Sequence, residues 1–151
     1  MKLQTRLFGE IEYAQEDVIT FPQGLPCFES ERAFLLLPIE GSESSILCLQ
    51  SVSTPALSFV MMNPFFLDPN YVPALKPQER ELLQVERDQD LCFYVLCAMK
   101  RPVSSSTLNF KCPIAINPDL SVGCQVILDT DAYHMRHPLS EFARNKEGDS
   151  C

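Results

Sequence analysis

The chain is 151 residues long, 46% apolar and 21% charged, with a net charge of −8. A chain of this size and composition buries one core and is neither fibrous nor disordered, and its negative charge opposes direct nucleic-acid binding, which relies on Lys and Arg. Its longest apolar run, Leu91 to Met99, is nine residues between Asp90 and Lys100, against roughly twenty for a membrane helix, so no membrane partner is expected.

The first residues, Met1 to Leu7, lack the apolar segment of an export signal and read as the start of a strand, expected at Leu3 to Leu7. Gly9 marks a bulge, because the strand pattern resumes at Ile11 to Tyr13. Five of the eight net negative charges lie within residues 1 to 45, where Glu10, Glu12, Glu16, Asp17, Glu29, Glu31, Glu40 and Glu43 face only Lys2, Arg6 and Arg32. Such acids serve solubility or attract a basic protein.

Further strands are expected at Val18 to Phe21, Ala33 to Ile39, Ile46 to Ser51, Leu57 to Met62 and Leu91 to Met99, divided by turn signals at Pro22-Gln23-Gly24, Gly41-Ser42, Pro55 and Ser104 to Ser106. The 91–99 strand is apolar on both faces, as a central covered strand would be. From Thr107 the even residues Leu108, Phe110, Cys112, Ile114 and Ile116 alternate with polar or small ones, which predicts one half-buried strand with Pro113 at an edge or bulge. Asn117-Pro118-Asp119 then signals a turn into Val122 to Leu128, an antiparallel partner.

Two segments read as helical. Pro77 suits a first helical position, with Glu79 and Glu81 near the positive end and Leu82, Leu83 and Val85 as the apolar face, and Pro138 starts a short helix through Phe142 and Arg144. Between strand and helix, Phe65, Phe66 and Tyr71 form an aromatic, proline-rich connection that either packs as a lid or meets a partner. Many short strands with so little helix predict a mainly β fold, an antiparallel barrel or sandwich with one or two short helices over residues 1–144, followed by a polar tail at 145–151.

Little in the chain suggests catalysis. The five glycines are scattered, so no phosphate-binding loop exists. Asp129, Asp131, His134 and His137 could hold a metal, but Pro138 disfavours a helix at His137 and the stretch reads as a solvated loop. None of the seven cysteines forms a Cys-x-x-Cys pair, and Cys92 and Cys97 fall on opposite faces of one strand. With no export indicated, Cys48, Cys92, Cys97, Cys112 and Cys124 read as reduced core residues and Cys151 as an exposed one. No catalytic residue, cofactor or metal is expected.

Several motifs stand in a recognisable order: Phe21-Pro22-Gln23-Gly24-Leu25-Pro26-Cys27-Phe28-Glu29, Leu49-Gln50-Ser51 before Pro55, Thr107-Leu108-Asn109-Phe110-Lys111-Cys112-Pro113-Ile114, Asn117, and Gly123 to Leu128. Together they resemble the flagellar assembly factor FliW family over residues 3 to 138. Cys27 and Cys112 depart from the family pattern, standing where it has small residues. The resemblance implies a non-enzymatic cytoplasmic protein with a barrel-like fold that binds flagellin and the carbon storage regulator CsrA, an RNA-binding repressor of flagellin translation. In that circuit accumulating flagellin occupies the protein and frees the regulator, and export of flagellin reverses the exchange.

An acidic surface would attract an RNA-binding regulator and repel its RNA, so Glu10, Glu12, Glu29 and Glu31 are candidate contacts. Asn109, Gln125, Gln50 and Phe28 are the others; the amides serve either a partner or local backbone groups. A small-molecule-binding barrel, and a thiol or metal enzyme, are the alternative functions. Nothing in the chain demands more than a monomer.

Overall fold

The computed structural model describes residues 1–5, 8–25, 28–38, 46–98, 100, 102 and 105–139, with only the backbone of Gln89. Among them run β1 (Lys2–Thr5), β2 (Gly9–Glu12), β3 (Ile19–Thr20), β4 (Ala33–Pro38), β5 (Ile46–Ser51), β6 (Ser58–Met62), α1 (Pro64–Leu67), α2 (Pro77–Leu83), β7 (Cys92–Ala98), β8 (Thr107–Leu108), β9 (Ile114–Asn117), β10 (Val122–Gln125) and β11 (His137–Pro138). The fold is mainly β, as the alternation predicts. Cys27, Glu40, Glu43, the turn at Gly41-Ser42, the helix expected beyond Leu139 and the polar tail with Cys151 lie outside the described residues.

Strands β3 to β7 form an antiparallel meander, β7 also pairs with β9, β9 with β10, and β10 returns to β3, closing a ring of seven strands. Six antiparallel joins reverse the chain direction an even number of times, so the seventh must be parallel. It is the Val122–Thr20 pair, where the Thr20 N–H donates to Ser121 O at 2.8 Å. Closure removes the unpaired edges that an open sheet would expose.

Directly paired residues share a face, so the register sorts the side chains. Ile19, Phe21, Phe34, Leu49, Met61, Ile114 and Ile116 fill the barrel, with Tyr94 and Leu96 packed against them. Phe21 and Phe34 meet edge to face at 5.2 Å. Gly123 is needed beside them, because a Cβ there would lie 2.8 Å from the Phe21 ring. On the outside, Phe93, Val95, Ala115 and Cys124 are covered by Leu67, Tyr71, Leu75 and Leu83 from α1, α2 and their connection. Cys92 pairs with inward Ile116 and Cys97 with outward Leu108, the opposite faces that their odd spacing predicts.

Three expectations need correction. The 107–116 segment is two strands: between Cys97↔Leu108 and Tyr94↔Ile114, β7 uses two residues where the other side uses five, 109–113. Three extra residues are an odd number, so the alternation changes sides. Leu108 and Phe110 join the outer cluster while Ile114 and Ile116 point inward. Gly9, at φ 66°, closes the β1–β2 hairpin by pairing with Thr5 and does not bulge a continuing strand. Helix α1 occupies the aromatic connection, with Pro64 at its first turn and Asn63 Oδ1 accepting the Phe65 N–H at 2.9 Å. Pro138 pairs with Thr107 in β11, and Leu139 directly after it is helical, where the expected C-terminal helix leaves the described residues.

Helix α2 follows the expected chemistry: Pro77 begins it, Glu79 Oε1 accepts the Lys76 N–H at 2.7 Å, and Gln84 ends it in the left-handed region at φ 58°. Arg80 reaches Asp88 at 2.7 Å and ties α2 to the turn before β7.

Candidate partner-binding surfaces

The β1–β2 hairpin has two unlike faces. Leu3 is buried and pairs with Ile11, while Glu10 pairs with Gln4 and Glu12 with Lys2 on the opposite, exposed face. Lys2 lies 3.6 Å from Glu10, a contact exposed on both sides. Glu16 and Asp17 are also exposed, on the turn that follows, and Asp17 Oδ2 accepts the Ala14 N–H at 2.9 Å. This is the negative surface that the composition of the N-terminal third predicts.

The Phe21 to Glu29 motif is a tight reversal. Gly24 has φ 65°, and a Cβ on it would sit 2.5 Å from Glu29 O, so neither its conformation nor its space admits a side chain. Leu25 and Phe28 exchange backbone hydrogen bonds of 3.3 and 2.7 Å, which turns Phe28 outward against Phe59 at 5.4 Å. Phe28 and Glu29 are exposed. Glu31 is not a free surface charge, since its carboxylate accepts Ser51 Oγ and, at 2.7 Å, Thr54 Oγ1.

Gln50 requires the largest correction among the candidate contacts. Its side chain is fully buried, and Nε2 donates to the carbonyls of Ser51, Pro55 and Leu57 at 3.0, 2.9 and 3.2 Å, clamping the β5–β6 turn. A buried amide in that role cannot meet a partner at the surface. Its Oε1 has no hydrogen-bond partner among the described residues.

Asn109 and Gln125 both serve the bulge between β8 and β9. Asn109 Oδ1 accepts the Cys112 N–H at 3.0 Å, and Gln125 Nε2 donates to Cys112 O at 3.0 Å. The Asn109 N–H donates to Leu96 O at 3.0 Å, Val126 N–H to Pro113 O at 2.8 Å and Leu128 N–H to Lys111 O at 2.9 Å. From the outer layer, buried Tyr71 donates its hydroxyl to Phe110 O at 2.6 Å, and its ring meets Phe110 edge to face at 5.0 Å. Lys111 N–H donates to His134 O at 3.1 Å and Lys111 Nζ to Thr130 O, which carries the 129–137 loop on the bulge. The five bulged residues are therefore a built feature, and burial holds the Tyr71 hydroxyl well above its ordinary pKa.

A groove of about 330 Å³ opens where β6, β7 and β8 end beside this bulge, lined by Phe59, Leu96, Ala98, Asn109, Met135 and Arg136. Phe59 continues it to Phe28, so Phe28 and Asn109 share one surface, whereas Gln125 opens on a second groove beside α2 with Gln23 and Glu79. Met135 and Arg136 escaped the sequence reading. The signal available was a large apolar side chain beside a cation, outside any alternating run.

Burial pushes the thiols of Cys48, Cys97 and Cys112 upward, and that of Cys124 up to about 12, with Glu79 nearby adding to it. Protonated thiols are poor nucleophiles and poor metal ligands. The backbone N–H of His134 donates to His137 Nε2 at 2.8 Å, so the His137 imidazole shapes a turn, and no three metal-ligating side chains converge among the described residues. In the aromatic connection Tyr71 is buried, while Phe65 and Phe66 are exposed, Phe66 by 60%.

This architecture and these motifs recur in known proteins. A solved structure described as the crystal structure of the flagellar assembly factor FliW superposes with a TM-score of 0.85 at 38% identity, covering 92% of this chain and 96% of that one. The flagellar assembly factor FliW of Geobacillus kaustophilus is 40% identical over 139 residues, 92% of this chain and 95% of that protein. That of Caldanaerobacter subterraneus is 35% identical over 145 residues, 96% and 97% of the two chains. The FliW protein family model matches residues 2–139, nearly the whole described chain, and the chain belongs to that family.

Proposed function

We propose that this protein is a cytoplasmic, non-enzymatic flagellar assembly factor that works by exchanging two protein partners, flagellin and the translational regulator CsrA. The observation that carries this reading is the family match across residues 2–139, with relatives named flagellar assembly factors over nearly their full length. Binding flagellin ties the protein up while subunits accumulate; once they are exported, it captures the regulator and flagellin translation resumes.

The physical chemistry supports binding over catalysis. A barrel filled by Phe21, Phe34, Leu49 and Met61 leaves its interior to side chains, which disfavours the small-ligand alternative. Upshifted thiols disfavour thiol chemistry. An RNA-binding regulator needs a basic surface, and the exposed face of the β1–β2 hairpin offers Glu10 and Glu12, with Glu16, Asp17 and Glu29 in nearby turns of the sequence. Such a surface would raise the on-rate for a basic partner and repel the RNA it holds.

The test is a pull-down from a flagellated bacterial lysate with this protein as bait, followed by titration with purified flagellin. Two separate complexes are expected, with flagellin displacing the regulator in proportion to its concentration. Recovery of neither partner would overturn the proposal.

A further inference from the structure

We propose that the groove beside the bulge is the seat for flagellin, taking an apolar, carboxylate-bearing segment of the unassembled subunit. This rests on the function proposed above. The groove is apolar along Phe59, Leu96 and Ala98, and its rim exposes Met135 by 57% and, past Phe59, Phe28 by 38%. Flexible methionine and edge-on aromatics make adaptable contact surfaces. A filament subunit that has not assembled exposes the apolar surface it later buries against its neighbours. A factor that holds such subunits in solution has to cover surface of that kind, which a charged hairpin does not do.

Charge separates this groove from the hairpin. Among the described residues Arg136 is the one charged residue lining it, and no carboxylate pairs with it. In a chain of net charge −8 an unpaired cation at an apolar rim selects for a carboxylate on the incoming segment. The basic regulator is disfavoured at the same spot. The rim is also held in shape: Met135 and Arg136 lie between His134, whose carbonyl accepts the Lys111 N–H, and His137, which pairs with Leu108. A preformed rim loses little conformational entropy when a segment docks.

The experiment measures the affinity of the intact protein for purified flagellin kept monomeric, and separately for purified CsrA, by calorimetry. The variants are Met135→Asp, Arg136→Glu and the hairpin control Glu10→Lys with Glu12→Lys. Both altered residues of the rim are exposed, and denaturation midpoints equal to wild type verify the fold. Met135→Asp and Arg136→Glu should each weaken flagellin binding by about tenfold or more, with Arg136→Lys recovering most of the loss, while regulator affinity stays within about twofold. Flagellin affinity unchanged in Met135→Asp would overturn the groove. Loss of regulator binding in its place would assign the groove to the regulator, and a concentration-dependent dimer abolished by Met135→Asp would assign it to a second copy; either overturns the proposal. Wild-type protein that binds neither partner would instead sink the proposed function itself.

Discussion

The acidic hairpin and the bulge between β8 and β9 are both candidate surfaces, built in opposite ways. Apart from buried Leu3 and Thr5, the hairpin is a backbone ladder with charges standing in solvent, and its one ion pair among the described residues is exposed on both sides. The bulge takes five residues out of regular pairing and returns their backbone groups to Asn109, Gln125, Tyr71, β7 and the 126–134 segment. A solvated charge can change without moving anything else. A bulge most of whose carbonyls and amides are engaged cannot, because every lost partner leaves a backbone group to be satisfied.

The sharpest challenge to that contrast is Phe110→Ala, which empties a buried ring from the outer cluster. It should cost about 3–5 kcal/mol by urea denaturation; a cost below about 1 kcal/mol would mean that the bulge is surface decoration. Tyr71→Phe keeps the ring and removes only the donor to Phe110 O, so about 1–3 kcal/mol is expected, with the fold retained by circular dichroism.

Alkaline pH probes the outer layer from another side. The Cys124 thiol rises from 9.0 unfolded to about 12 folded, so between those values the unfolded chain releases a proton that the folded one keeps. Stability is therefore intact below pH 9 and falls above it, by about 1.4 kcal/mol per pH unit through this group. Denaturation midpoints from pH 8 to 11 measure the slope, and Cys124→Ala should lessen it, leaving the share of the other raised thiols; a slope unaffected by that substitution would remove Cys124 as a source.

Gln125→Ala strips one half-buried hydrogen bond from Cys112 O and should cost about 0.5–1.5 kcal/mol. On the hairpin, Glu10→Lys with Glu12→Lys should leave the denaturation midpoint where it was, yet weaken CsrA binding and reduce its dependence on salt. Were the same pair to destabilise the fold, the hairpin would be structural and the contrast with the bulge would fail.

Much of the strand content was readable because alternation directly encodes a half-buried strand. The predicted 33–39, 46–51, 57–62 and 91–99 segments lie within two residues of β4, β5, β6 and β7. The reading failed where a local pattern has a nonlocal cause. Alternation runs unbroken from Leu108 to Ile116, and only the pairing with β7 reveals that three extra residues transfer the second half to the barrel interior. Gln50 looks like any polar strand residue until the β5–β6 turn folds over it. Helix α1, four residues long, is too short to show a period.

The candidate surfaces divide in the same way. Charge is a property of composition, so the acidity of the N-terminal third and the exposure of Glu10 and Glu12 follow from the sequence alone. So do the glycine of the Phe21 to Glu29 reversal and the core character of the buried cysteines, each set by local sterics or apolarity. The tertiary structure decided which polar residues are free. Glu31, Gln50, Asn109 and Gln125 all hold internal groups, because closing seven strands into a ring strands backbone amides and carbonyls at its bulge and turns, and the nearest side chains must satisfy them. The groove that joins Phe28, Phe59 and Arg136 likewise exists only once residues about thirty and about eighty apart in the chain have been brought to one end of the barrel.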